Sequence, residues 1–323
     1  MTKRGTTRHG SLQFYPRVRA KRTIPRVSWK ALSDKKNEGL LGFIGYKVGM
    51  KSAYVKDNCG SSLTKGQRVT IPVTVIECPT MKIFSVRFYK DNIVMGEVLN
   101  SGIDKEMKKN VKVPKIVKIK VDDFVSKNEG KFEDIRVVLY SQVKKTGIKK
   151  KPDVAEIGLT GDLDGKLNFV KENMNKEISI TDFLSAEVMK EGLIDMRGVT
   201  KGKGLQGPMK RFGLTLRHHK SEKGRRGPGS GGPWHPARVE YTQPMAGQMG
   251  YFTRVVYNNK IIRVSGEDIN PKSGFKKFGK IRGDYIIVFG SVQGPVKRQL
   301  LITVPLRASK DQIKRNYEFL ELR

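Results

Sequence analysis

Runs of β-branched and aromatic residues, broken by short polar stretches, fill most of this chain, and no segment keeps the apolar spacing of a long amphipathic helix. Leu40–Met50 (LLGFIGYKVGM) is apolar with three glycines, which predicts a buried strand that bends tightly. Val69–Glu77 and Lys82–Tyr89 are rich in β-branched and aromatic residues; Cys78, Pro79 and Thr80 between them predict a hairpin. Asp104–Lys109 predicts a short helix, and Val111–Val121 and Ile135–Tyr140 predict strands. Ile180–Gly192 predicts one short helix, capped by Thr181 or Asp182 and stopped by Gly192. Leu193–Thr200, Lys260–Ser265, Asp284–Gly290 and Gln299–Val304 read as strands, and Lys310–Glu321 has helical spacing. There is no βαβ alternation and no internal repeat. The expected fold is mainly β with short helices, an antiparallel barrel core with insertions.

Two stretches depart from this texture. Residues 1–37 form an expected extended arm, broken by Pro16 and Pro25, with Phe14, Tyr15 and Trp29 among the basic residues. A solvated tail rarely keeps three large aromatics, so these suggest base stacking or packing on a partner. Residues 197–263 contain twelve glycines, and between Arg217 and Pro236 the only sizeable apolar side chain is Trp234. Such a segment cannot bury a core, and fixing each residue costs about 1–2 kcal/mol. Glycine instead lets the backbone approach a ligand closely, and Arg forks phosphates. The loop 217–236 is therefore expected to become ordered on RNA. The expected organisation is an N-terminal extension (1–37), a first part of the core (38–196) with an α/β lobe inserted near 100–170, a long loop extension (197–263), and a second part of the core (264–323).

Charge sharpens the picture. The chain has 323 residues, 64 Lys and Arg against 31 Asp and Glu, and a net charge of +33. Residues 1–30 carry nine basic residues and no acid; residues 197–263 carry fourteen against Glu222 and Glu240. This distribution is that of a chain lying against a polyanion, and the charge spacing of nucleic acid fits best. The Lys144–Lys151 run (KKTGIKKK) is a further basic loop, open to reading as solvated or as anion-contacting. Hydrophobic residues make up 37%, enough for one or two cores. Cys59 and Cys78 form no C-x-x-C, so neither a zinc site nor a redox pair is signalled, and a reducing compartment is expected. The N-terminus shows no secretory h-region, and the longest apolar runs are far too short to span a bilayer. Neither a lipid anchor nor an amphipathic helix accompanies the charge, so no membrane partner is expected.

Candidate chemistry is sparse. Gly202–Gly207 (GKGLQG) matches G-x-G-x-x-G, but no second strand follows and the acid near the required distance is Glu222, inside a basic loop. His218 and His219 are adjacent, His235 is remote, and no Cys or acid sits at metal-ligand spacing beside them. No metal and no cofactor are expected. There is no P-loop, H-E-x-x-H or G-x-S-x-G. Trp234 and His235, between Pro233 and Pro236, make a stiff tip that either folds back on the core or stacks inside RNA.

Five segments together carry a resemblance: Arg8–Arg17 (RHGSLQFYPR), Leu41–Met50 (LGFIGYKVGM), Lys201–Gly207 (KGKGLQG), Trp234–Arg238 (WHPAR) and Ala246–Tyr251 (AGQMGY). In this order they resemble the large-subunit ribosomal protein L-three family, in its archaeal or eukaryotic form. The resemblance implies a β-barrel on the subunit surface, direct binding to large-subunit rRNA and a role in early assembly. It also implies two extensions that penetrate the rRNA, the longer pointing toward the peptidyl transferase region with Trp234 at its tip. Neighbours of the L-fourteen and L-twenty-four-e types are implied beside the barrel. Some eukaryotic members carry a modified histidine where this chain has Glu222, so that modification is not carried over.

The expectation is a non-enzymatic ribosomal rRNA binder in the cytoplasm, with no small-molecule substrate. The candidate RNA-binding residues in the first arm are Arg8, His9, Arg17, Arg19 and Arg22. In the second they are Lys201, Lys203, Lys210, Arg211, Arg217, Lys220, Arg225, Arg226, Trp234, His235, Arg238 and Arg254. Most should position the backbone rather than read bases. The rival readings are an RNA-modifying enzyme, which would need an acid or nucleophile cluster beside the arms, and an architectural nucleic-acid-binding protein, which would also take duplex DNA.

Overall fold

The computed structural model describes all residues except 1–9, 34–38, 115, 118, 129, 185, 222–223, 230, 232–236 and 267. The chain forms two compact units. The larger is Ile24–Gly198 with Val255–Arg323; the smaller takes in Val199–Arg254 and the described part of Met1–Thr23.

Among the described residues, thirteen strands follow in chain order: β1 (Gly42–Asp57), β2 (Arg68–Glu77), β3 (Met81–Lys90), β4 (Ile93–Leu99), β5 (Asp134–Ser141), β6 (Val154–Gly158), β7 (Leu193–Val199), β8 (Leu205–Gln206), β9 (Gly247–Gln248), β10 (Thr253–Val264), β11 (Tyr285–Phe289), β12 (Gln299–Thr303) and β13 (Tyr317–Leu322). Helices are few and short, so the protein is mostly β with minor α content.

The main sheet of the larger unit runs β12-β7-β10-β11-β2-β1-β13. β12 pairs with β7 on one side and with Gly42–Tyr46 of β1 on the other, so the pairing order returns to its start. β13 takes the second half of the same β1 edge, Ala53–Asp57. A second sheet, β4-β3-β5-β6, is antiparallel throughout. The near-continuous apolar runs of the main sheet have a physical reason: both faces are buried. Along β2, Ile71, Val73 and Val75 enter one apolar cluster while Ile76 enters another; along β11, Tyr285 and Ile287 alternate with Ile286 and Val288 in the same way.

Glycine serves β1 by close approach. A Cβ on Gly45 would lie 2.7 Å from Ile76 Cγ2, and one on Gly42 would lie 2.9 Å from the Trp29 ring. Trp29, expected among the arm's contact aromatics, is instead a core residue at 4% exposure; its ring also crowds Gly158. The register shift between Lys47 and Gly49 lets β1 continue to Asp57, beyond the expected end at Met50.

Several expected elements are corrected. β2 and β3 are not a hairpin: β2 pairs with β1 and β11, and β3 with β4 and β5, so Cys78–Thr80 carries the chain between sheets. The hairpin at this place is β3–β4, turned by Asp91 and Asn92 at φ 49° and 62°, as a two-residue type I′ loop requires. Val111–Val121 contains no strand among its described residues; Pro114 removes a donor, and a helix begins at Val121. Ile180–Gly192 holds two helices, Ile180–Phe183 and Ala186–Glu191. Its cap is Ser179, not Thr181 or Asp182: Ser179 Oγ accepts from the Asp182 N–H while the Asp182 carboxylate accepts from the Ser179 N–H. Lys310–Glu321 is helical only over Lys310–Lys314; pairing with β1 makes the rest β13. An eleven-residue helix, Leu163–Asn173, was not expected.

Candidate nucleic-acid interface

The smaller unit is built on a narrow ribbon. Leu205 and Gln206 of β8 face Gln248 and Gly247 of β9, and the ladder runs on through Lys203 N to Met249 O (2.9 Å) and Thr200 N to Phe252 O (3.0 Å). Gly250 makes this closure possible. Its φ is 72°, and a Cβ there would lie 2.0 Å from the Lys201 carbonyl oxygen, a distance no side chain tolerates. After β8, Pro208 opens a five-residue helix, and Gly213 ends it in the left-handed region at φ 69°. The glycines of the G-x-G-x-x-G match therefore shape a β ribbon and a single helical turn, not a dinucleotide-binding strand–helix unit.

The N-terminal segment packs on this ribbon through aromatic rings and guanidinium groups. Tyr15 stacks on Phe212 at 6.3 Å, and Tyr241 meets Tyr15 edge-on at 6.1 Å. Arg17 lies over Phe212 at 4.2 Å and donates from Nη1 to the Arg211 carbonyl at 2.6 Å. Arg211 in turn donates from Nε to Gln248 O and from Nη1 to Met245 O, both at 3.0 Å. Ala20 N donates to Tyr251 O at 2.8 Å, and Arg19 covers the Tyr251 ring. Arg254 spans Phe14 at 4.6 Å and Phe252 at 5.1 Å. Burial lowers the pKa of Arg211 and Arg254, and the nearby positive charge of Arg17 lowers both further. Three cations are thus held close together by rings and carbonyls.

The candidate residues now fall into three groups. Arg17, Arg211 and Arg254 are half-buried and already engaged within the protein. Arg19, Arg22, Lys201, Lys203, Lys210, Arg217, Lys220, Arg225, Arg226 and Arg238 are exposed. Arg8, His9, Trp234 and His235 lie outside the described residues, as does Glu222. Arg217 and Arg225 are brought together by two bonds, Arg217 N to Arg225 O and Arg225 Nε to Arg217 O, at 3.2 and 3.1 Å. The His218 and His219 rings lie 4.1 Å apart, tilted by 41°. Among the described residues, no group of three His, Cys, Asp or Glu could hold a metal ion.

Sequence reasoning overlooked Phe212, Tyr251 and Phe252 as rings that seat Arg17, Arg19 and Arg254. Their only signal was proximity to Arg and Gly in a segment otherwise poor in apolar residues. Twelve ion pairs are described, and all twelve lie in the larger unit. The smaller unit is a cationic surface on an aromatic frame.

That surface is the kind a nucleic-acid-binding protein presents, and comparison with known proteins narrows the class. The family described as "Ribosomal protein L3" matches residues 1–320. The "Large ribosomal subunit protein uL3" of Methanocaldococcus jannaschii is 39% identical over 321 residues, covering 95% of this chain and 93% of that protein. The Archaeoglobus fulgidus protein of the same name is 40% identical, covering 94% and 92%, and that of Methanobrevibacter smithii 37%, covering 98% and 97%. The chain belongs to the ribosomal protein L3 family.

Proposed function

We propose that this chain is a non-enzymatic constituent of the large ribosomal subunit that binds large-subunit rRNA directly, supports early assembly and acts in the cytoplasmic ribosome. The observation that carries the reading is the smaller unit's set of exposed cations, among which no ion pair is described, whereas the twelve described pairs all lie within the larger unit. The ten exposed Lys and Arg residues named above, with Arg8, His9, Trp234 and His235, form its RNA-binding set. Arg17, Arg211 and Arg254 contribute by holding that surface in shape. The larger unit acts as a closed barrel with an α/β lobe that docks on the rRNA surface, while the two extensions thread between helices, the longer toward the peptidyl transferase region. Neighbours of the L-fourteen and L-twenty-four-e types and no small-molecule substrate belong to this reading. No helix among the described residues is long and apolar enough to cross a membrane.

Titration of the full chain against a large-subunit rRNA transcript tests it. The logarithm of the binding constant should fall steeply with the logarithm of salt, by roughly 0.7–0.9 per phosphate neutralised. A flat salt response would overturn the proposal, and so would turnover of the RNA by the chain. Trp234→Ala should impair subunit assembly or peptide-bond formation; normal growth and subunit profiles would remove Trp234 from the set.

A further inference from the structure

The larger unit carries a second concentration of positive charge that the arms do not explain. Two lysine-rich stretches some forty residues apart lie side by side: Lys109 Nζ donates to Lys150 O at 3.3 Å, and Asn110 Nδ2 to Pro152 O at 2.6 Å. A third joins them. Arg282 lies against Gly147, its Nη1 3.4 Å from where a Cβ on that glycine would stand, and Thr146 meets Gly283 in the same way at 3.2 Å.

The acids within the first two stretches are already used. Asp104 pairs with Lys82, Glu106 with Lys144 and Asp153 with Lys149. Lys105, Lys108, Lys109, Lys112, Lys150 and Lys151 are exposed and make no ion pair among the described residues. The third stretch adds exposed Lys276 and Lys277 at the tip of a fixed turn. Phe275, at 6% exposure, anchors that turn; its N–H donates to Gly279 O at 2.8 Å, and Lys277 is held in the left-handed region at φ 65°. A lysine in that conformation at an exposed tip is unusual, and it fixes where the charge is presented.

We propose that these three stretches form a second RNA-binding face, built from residues outside the arms, that follows the phosphate backbone of folded RNA. The inference rests on the ribosomal reading above. Lysine is a compact point charge suited to phosphate and is depleted from protein–protein interfaces, so a lysine-dense face fits RNA better than a protein partner. The aromatic residues of the third stretch, Phe275 and Phe278, pack into the apolar clusters, which leaves the face without the stacking platform that single strands use.

The test measures salt slopes for the full chain on a large-subunit rRNA transcript. The variant Lys109→Gln/Lys150→Gln/Lys151→Gln should lose roughly two units of slope, and Lys276→Gln/Lys277→Gln roughly 1.4–1.8. Thermal midpoints should stay near that of the parent. Lys277→Gly keeps the turn's conformation, so it should lose roughly one unit of slope with an unchanged or raised midpoint. An arm variant, Arg225→Gln/Arg226→Gln, separates the two proposals. If it lowers the slope while the lysine variants do not, the second face is overturned and the ribosomal reading stands. If no variant changes the slope, both fall. A lowered midpoint for Lys277→Gly with an unchanged slope would make that lysine a folding residue and overturn its place in the face.

Discussion

Single side chains in this protein divide by burial into those that build and those that can bind. Arg17 is the clearest case of building, because one guanidinium both covers a ring and donates to a carbonyl. Arg17→Ala should ease local opening of the smaller unit by about 1–2 kcal/mol, the combined scale of a cation–π contact and a hydrogen bond. Hydrogen exchange at Arg211–Gly213 would read it, and Arg17→Lys should not restore protection because an ammonium cannot fork and stack together. Glu77 is the opposite kind of case, a buried carboxylate in the larger unit. Its Oε1 accepts from the N–H groups of Arg282 and Gly283 at 2.9 and 3.1 Å. Burial nevertheless raises its pKa above the ordinary value of 4.5. Between pH 4.5 and the folded pKa, the unfolded carboxyl is mostly ionised while the folded one mostly holds its proton. The folded state therefore binds more protons, and this group's stabilisation is lost as pH rises through its folded pKa. Glu77→Gln should flatten that loss, which urea midpoints for both proteins across the acidic range would show. An unchanged difference between parent and variant at every pH would count against it.

Elements in this chain are chosen by their partners as much as by their own residues. The β3–β4 turn shows a local rule obeyed: Asp91 and Asn92 are among the few residues that accept positive φ. Asn92→Val should cost about 1–2 kcal/mol, while Asn92→Gly should hold or raise stability, as thermal melts would show. β13 shows a local rule overridden. Its residues carry helical spacing in sequence, yet the open edge of β1 from Ala53 to Asp57 offers a ladder of donors and acceptors, and pairing wins. The β2–β3 junction shows a gap that sequence cannot resolve. A short break with proline suits a hairpin or a passage between sheets equally, and only the positions of β1 and β11 decide it.

Across the molecule, charge is arranged in opposite ways in the two units. The larger unit sets acid against base, as in the linked pairs Glu97–Arg87–Glu156–Arg136–Asp134–Lys166. The smaller unit gathers like charges around aromatic rings. Added salt should therefore act differently on them. Screening relieves repulsion among Arg17, Arg211 and Arg254, so exchange at Leu205, Gln206 and Met249–Phe252 should slow as salt rises from low ionic strength. Amides of β5 and β6, beside the ion pairs, should hold steady or exchange faster. Equal responses in both units would contradict this division.

Much was decided by the sequence alone. β-branched runs fixed that the chain is mostly β, and the acid-poor segments marked where net positive charge collects; both follow from composition and local sterics, which need no partner. The five quoted segments were enough to point to the ribosomal L3 family, which the comparison of whole chains establishes. Tertiary structure decided what depends on distant neighbours. It paired β13 with β1, moved Trp29 into the core, seated Arg17 on Phe212 and Arg254 on Phe14, and brought Lys109 against Lys150. Those outcomes depend on which surfaces meet, and periodicity and charge counts do not record that.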